Sequence, residues 1–269
     1  MRRDRAPFAL RHALALGLVQ GPSELLPVSS SAHTILIPLL AGWPYEELEP
    51  ELRKSFEVAL HAGAGAGLAV TVARELTGAG LRFGRRRAGV IAMTLVPPAL
   101  AGAALERIIE RRLGGPRSIA AGLAAGALAM ALADARAADG TRAGGEPTLC
   151  DGLAIGLAEA AALAPGVSRN GAALTAARAR GFSRPEAHAL SWQAALPVIV
   201  GASVLKGVGV ARHGLPAGGP TLLAVGGASA FLSTIVSARV LRRPGCDRHS
   251  LLPYALYRGL LAAAVARRG

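Results

Sequence analysis

Gln20 and Glu24 stand four residues apart, and just after them Pro27 leads into three consecutive serines, Ser29, Ser30 and Ser31, with His33 close behind. On a helix that spacing puts the amide and the carboxylate on one face. Their oxygens suit a hard divalent cation, Mg2+ or Ca2+, so Glu24 and Gln20 are the candidate metal ligands. Ser30 and His33 have the types for a nucleophile, or a nucleophile-orienting hydroxyl, and its general acid/base, while Ser29 and Ser31 add hydroxyls for an oxyanion. A second polar stretch, PGVSRNG, spans residues 165 to 171. Arg169 offers the forked donors that bind phosphate, and Gly166, Ser168 and Asn170 surround it where backbone amides opening a helix would add a favourable dipole. Taken together, the two stretches read as one phosphate-handling site. Plainer readings remain at this level: Glu24 paired with an arginine or capping a helix, the serines bonded to backbone, and Arg169 paired with Glu24 or Glu159.

What must position these groups is a membrane-helix bundle. Hydrophobic residues make up 52% of the 269, mean hydropathy is +0.39, and charges are absent from Ala88 to Leu105, Ser118 to Ala133, Ala189 to Leu205 and Gly214 to Ala238. A helix needs about 20 apolar residues to cross the hydrocarbon layer, and these runs approach or exceed that. The formal charge of +13 comes from arginines between the apolar runs, with 4% aromatic residues and no aromatic-basic platform, so membrane flanks are expected and nucleic acid is not. Cys150 and Cys246 have neither disulfide-framework nor zinc spacing. Residues 1 to 11 form a basic flank without a convincing cleavage site, so no removed signal peptide is expected.

Six spans are predicted, near 55–73, 88–106, 118–135, 187–206, 219–238 and 251–266, with Ser183-Arg184-Pro185-Glu186 as a capping box opening the fourth and GLPAGGP (214–220) separating it from the fifth. The two polar motifs sit in apolar segments broken by Pro22 and Pro27, and by Pro165 and Gly166. Broken backbone is tolerated at membrane depth where it is buried or lines a cavity, which predicts two re-entrant helical hairpins. Aligning Gly17-Leu18-Val19-Gln20 with Gly156-Leu157-Ala158-Glu159 sets Pro27 beside Pro165, and the serine run beside Ser168, within one residue. The expected fold is therefore all-α and integral to the membrane: a single polytopic domain over 1–269 with an inverted-topology repeat (about 8–137 and 150–267), six transmembrane helices and two hairpins, ten helical pieces in all. Lysines and arginines divide evenly between the two faces, so charge does not set the orientation.

Glu57 and His61, four apart, could face the same cavity or be ordinary interface polarity. His188, Tyr254, Tyr257 and Arg258 fall near predicted membrane ends, where amphipathic anchoring accounts for them.

Gln20-Gly-Pro-Ser-Glu24 followed by LPVSSSAH, together with PGVSRNG, resembles the (E/Q)xxxE, PVSSxxH and PGxSRSxxT elements of the bacterial undecaprenyl-diphosphate phosphatases, also called bacitracin-resistance proteins. FEVALHAG (56–63), GFSRPEAHALSWQAALP (181–197) and LLPYALYR (251–258) are similar to further segments of that family. The resemblance implies a metal-dependent hydrolase converting undecaprenyl diphosphate to the monophosphate at the outer face of the bacterial plasma membrane, recycling the carrier of cell-wall synthesis and conferring bacitracin resistance. It implies roles for Glu24, Ser30, His33, Ser168 and Arg169, with Gln20 an allowed variant. The chain departs from the pattern at Asn170, where the family has Ser, and at Ala173, where it has Thr; Thr175 falls two residues late. The expected partners are a polyprenyl diphosphate and membrane lipids, with room for a homodimer. Two rival readings share the same residues: a polyprenyl-phosphate flippase or transporter, since inverted repeats with broken helices also build transporters, and a catalytically weakened relative. Ser30 attack and attack by water with His33 as base fit the sequence equally.

Overall fold

The computed structural model describes residues 8–78, 84–137, 146–213, 219–243 and 245–267. The described chain is helical, with no strand: α1 (Leu10–Leu25), α2 (Ser30–Ala41), α3 (Pro50–Gly78), α4 (Arg85–Arg112), α5 (Pro116–Arg136), α6 (Leu149–Ala161), α7 (Arg169–Ala179), α8 (Arg184–His213), α9 (Gly219–Leu241) and α10 (Leu252–Ala266), with a 3-10 turn at Cys246–Arg248. Ten α-helices match the ten pieces predicted, and each predicted span coincides with one of α3, α4, α5, α8, α9 and α10. The basic flank falls largely, and the GLPAGGP break mostly, outside the described residues.

Three helical stretches are long and apolar enough to cross a membrane: Arg85–Leu105 of α4, α5 and α9. At 1.5 Å per residue, 21 residues reach about 31 Å, the thickness of the hydrocarbon core. Exposed leucines recur every four residues on two of the shorter helices, Leu10, Leu14 and Leu18 on α1 and Leu149, Leu153 and Leu157 on α6. An outward leucine stripe suits lipid rather than water.

Local chemistry sets the helix ends. Ser183 opens α8 as expected: its amide donates to Glu186 Oε2 at 3.0 Å, and the Glu186 amide returns a bond to Ser183 Oγ at 3.4 Å. Thr148 and Asp151 build a second capping box at α6. Pro22 does not break its segment, contrary to the sequence expectation, since α1 continues through it to Leu25. The interruption comes later, at residues 26–29 around Pro27. A proline near the end of a helix forfeits one backbone bond, which the flanking turns can survive.

The chain divides into two compact units that interleave both halves of the sequence. The first comprises Met1–Leu25, His33–Ala79 and Val198–Val240. In it α1 and α3 lie against α9 through small residues. A Cβ at Gly17 would stand 2.5 Å from the Gly226 carbonyl and clash with Ser229 Oγ, and the room left lets Ser233 Oγ donate to the Gly17 carbonyl at 2.8 Å and accept from the Gly21 amide at 3.2 Å. Small residues and hydroxyl bonds are how helices associate in lipid, where apolar burial drives nothing. Ala13, Leu16, Phe56, Leu60, Leu222 and Ala230 form its core with Tyr45, and His12 stacks on Trp43 at 4.6 Å.

The second unit comprises Leu26–Ala32, Gly80–Pro197 and Leu241–Gly269. Gly156 of α6 abuts the Thr94 carbonyl of α4, and Gly166 fits against the backbone of α5. The α6–α7 hairpin is closed by Arg180 Nε on Asp151 Oδ1 at 2.7 Å. Asp134, near the end of α5, gathers Arg178 Nε (2.9 Å), Arg184 Nε (2.9 Å) and Nη2 (3.0 Å), Ser250 Oγ (3.0 Å) and the Leu251 amide (2.9 Å). This buried carboxylate joins α5, α7, α8 and the start of α10, and its bonds offset the cost of burying Arg178.

Candidate active site

In the first unit, Glu24 and Gln20 share a face of α1, as their spacing requires. Gln20 Nε2 donates to Glu24 Oε2 at 3.0 Å, Thr34 Oγ1 donates to Gln20 Oε1 at 3.4 Å, and His61 Nδ1 lies 3.2 Å from Glu24 Oε2 and 3.2 Å from Gln20 Nε2. The His61 side chain is 38% exposed and that of Glu24 5%, so the imidazole marks the side from which this carboxylate can be approached. His61 therefore belongs with the first motif and not with Glu57. Glu57 accepts from the Tyr45 phenol at 3.0 Å; burial first, and the neighbouring Glu57 carboxylate second, push that phenol's pKa up and keep it a donor.

Among the described residues no three His, Cys, Asp or Glu side chains converge as a metal cage. As placed, Gln20 turns its Nε2 to Glu24 and His61 and its Oε1 to Thr34, so Glu24 alone presents oxygen here, a partial fit to a hard cation of the kind that substrate phosphate oxygens and water complete. His33 is buried on α2. The spacing of three places it on the same side of that helix as Ser30.

The hydroxyl run belongs to the second unit, where Ser29 Oγ lies 3.3 Å from Ser31 Oγ. Ser29 and Ser168 are the non-glycine residues with positive φ among those described, at 74° and 67°. Each immediately precedes a helix: α2 opens at Ser30 and α7 at Arg169. Leu10 and Leu149, Gln20 and Glu159, Ser29 and Ser168, and Ser30 and Arg169 share one offset in the numbering, so the two helix–loop–helix segments correspond with no shift at the serines. A left-handed β-carbon-bearing residue costs of order 1 kcal/mol or more, and such strain persists where the surroundings over-determine it.

At the second loop Ser168 caps α7, its Oγ accepting from the Gly171 amide at 3.1 Å. Gly166 has φ 94°, and a Cβ there would run into the Ile119 carbonyl and stand 3.0 Å from the Leu123 amide. Backbone conformation and close packing on α5 thus account for this glycine. Arg169 is the first residue of α7, where the helix dipole favours an anion. The Oδ1 of Asn170 accepts a short hydrogen bond from Ser191 Oγ of α8, so that oxygen serves packing. Ala173 is fully buried beside Leu174 and Ala177, and the Thr175 hydroxyl returns to the Gly171 carbonyl at 2.7 Å. Thr175 is therefore not a displaced substitute for the missing motif threonine.

The sequence position of Arg258 points to anchoring at a membrane end, and the structure corrects this. It is 0% exposed, and its guanidinium donates to the carbonyls of Pro27 (3.5 Å), Gly166 (3.1 Å) and Val167 (2.7 Å). Gly126 and Gly171 leave the space: a Cβ at Gly171 would stand 2.8 Å from Nη1, and one at Gly126 would strike Nη2. Within the second unit, one buried cation from α10 thus holds backbone of both polar loops. The signal available in sequence was an arginine followed by Gly259 in an otherwise apolar stretch, at the end of LLPYALYR.

The family model described as bacitracin resistance protein BacA matches residues 13–264. A protein named undecaprenyl-diphosphatase from Geobacter sulfurreducens is 39% identical over 95% of this chain and 97% of its own length. A second protein of that name, from Geobacter metallireducens, is 39% identical over 94% and 96%, and a third, from Thermomicrobium roseum, 36% over 91% and 93%. With both motif loops gathered on Arg258 and the match running through nearly all ten helices, this chain belongs to the bacitracin resistance protein BacA family.

Proposed function

We propose that the protein is an undecaprenyl-diphosphate phosphatase of the bacterial plasma membrane, hydrolysing the lipid diphosphate to the monophosphate and inorganic phosphate at a site open to the outer face. The observation that carries this reading is the triple donation of Arg258, which gathers carbonyls of both motif loops on one guanidinium. The shared offset of α1 with α6, and of the left-handed serines, supports an inverted-topology repeat whose two hairpins are re-entrant. The remaining helices α3, α8 and α10 complete six spans in this reading.

Arg169 and the amino end of α7 hold the terminal phosphate, and Ser29, Ser31 and Ser168 line the loops that receive it. Glu24 would hold Mg2+ or Ca2+, with Gln20 joining it once its amide turns its oxygen that way, and such a cation would supply charge neutralisation of the diphosphate. His33 moves the proton. With Ser30 as nucleophile, its oxygen bonds to the terminal phosphorus while the bond to the bridging oxygen breaks and the lipid monophosphate leaves; water then releases phosphate. In the other route water attacks directly, and His33 takes its proton.

The test is inorganic phosphate release by purified protein from a polyprenyl diphosphate in Mg2+, with Glu24→Ala and Arg169→Ala alongside. Wild-type release that stops with chelator and is lost in both variants is the expected result. Lipid movement across vesicles without phosphate release would overturn it.

A further inference from the structure

In the second unit, the end of α7, the start of α8 and the 3-10 turn ahead of α10 enclose a cavity of about 250 Å3 lined by Arg178, Ser183, Arg184, Pro185 and Arg248. Among the described residues no acid lines it. Arg178 sits in the last turn of α7, about 13 Å along the helix from Arg169 at its start, so the cavity stands apart from the polar loops. The carboxylates nearest the wall are already engaged. Asp134, its side chain 4% exposed, accepts from Arg178 Nε and Arg184 Nε at 2.9 Å each, and Glu186 Oε2 accepts from the Ser183 hydroxyl at 2.7 Å. Arg178 also donates to the carbonyls of Phe182 and Ala137, which fixes it as part of the wall. Arg184 is partly exposed and Arg248 is exposed, so these two present guanidinium to whatever enters. The connection that carries Arg248 is itself basic, with Arg242, Arg243 and Arg248 against Asp247.

The position of the cavity says which anion suits it. Asp134 lies in the last turn of α5, a helix long and apolar enough to cross a membrane, so the cavity opens at a membrane face. The helix α10 begins just after Arg248 and packs along α5, and Leu128 and Leu132 of α5 and Leu252 and Leu256 of α10 are all exposed. An arginine-lined recess at the end of helices with leucine outer faces matches a molecule with a phosphate head and hydrocarbon tails, and basic pockets between membrane helices hold anionic headgroups in this way. We propose that the cavity binds the phosphate of an anionic phospholipid, with Arg184 and Arg248 holding its oxygens while the acyl chains run along the leucines of α5 and α10. The forked donors of arginine suit a phosphate group. Bound lipid then ties the start of α8 to the turn before α10, and stabilises the protein by doing so.

The experiment follows thermal unfolding of the purified full-length protein in detergent as phosphatidylglycerol, phosphatidylcholine with the same acyl chains, or inorganic phosphate is added. Phosphatidylglycerol is expected to raise the unfolding temperature saturably, and phosphatidylcholine and inorganic phosphate are not. Arg248→Gln, at an exposed position, is expected to raise the half-saturating phosphatidylglycerol concentration about fivefold, the effect of one arginine near an anionic lipid. Arg85→Gln, at an exposed arginine that opens α4, is expected to leave it unchanged. An unchanged half-saturation in Arg248→Gln overturns the proposal. An equal loss in Arg85→Gln overturns it in favour of diffuse attraction to a basic surface, and equal stabilisation by phosphatidylcholine overturns it in favour of hydrocarbon contact alone. Stabilisation by inorganic phosphate that Arg248→Gln weakens assigns the cavity to a soluble anion and overturns the lipid assignment.

Discussion

Replacing Arg258 with methionine keeps much of the side-chain volume while deleting the guanidinium that ties the two polar loops. Two of its bonds are short, to Val167 (2.7 Å) and Gly166 (3.1 Å), and the third, to Pro27, stands at the 3.5 Å limit. Hydrogen bonds from a charged donor are worth roughly 1.5 kcal/mol or more each, so two full bonds and a weak third give about 4 kcal/mol. Methionine needs no desolvation of a buried charge, which returns about 1 to 2 kcal/mol. The remainder, about 2 to 3 kcal/mol, acts on loop placement, and at 1.36 kcal/mol per decade it corresponds to roughly a hundredfold in kcat/KM. Arg258→Lys retains the charge but presents a single point donor, which can serve one loop; a loss of about tenfold is expected. Gly126→Ala, whose Cβ would crowd Nη2 and stand 2.9 Å from the Val167 carbonyl, should reproduce part of the defect without touching the arginine. The assay is phosphate release from a polyprenyl diphosphate, with thermal unfolding in detergent measured on the same samples. Wild-type kcat/KM in Arg258→Met would refute the argument that this cation positions the loops.

Gly17→Ala places a Cβ 2.5 Å from the Gly226 carbonyl, a backbone atom that cannot swing aside, so unfolding in detergent should show a loss of about 1 to 3 kcal/mol that Ser229→Ala does not rescue. Asp134→Asn leaves Arg178, a fully buried guanidinium, without its carboxylate; a loss of about 3 to 5 kcal/mol is expected in the same measurement, and a variant as stable as the wild type would show that the network contributes little.

The sequence was sufficient for features decided within a few residues. Charge-free runs marked four of the six predicted spans, because hydropathy along one helix is a local property. The capping box at Ser183 and Glu186 was legible for a similar reason: both bonds close within four residues. The spacing of Gln20 and Glu24 likewise foretold their shared face, and two serines that the sequence sets side by side, Ser29 and Ser168, share a left-handed backbone.

Tertiary structure decided which distant group completes each local pattern. His61 joins Glu24 across 41 positions from Gln20, while Glu57, its neighbour by helical spacing, turns to Tyr45. Asn170 lends its oxygen to Ser191, and Arg258 finds its acceptors 91, 92 and 231 positions away. Nothing in an arginine's immediate neighbours specifies those carbonyls. Its partners are fixed by where α5, α7 and α10 leave room beside Gly126 and Gly171, so the sequence determined the pieces and their motifs, and packing determined which buried charge holds them.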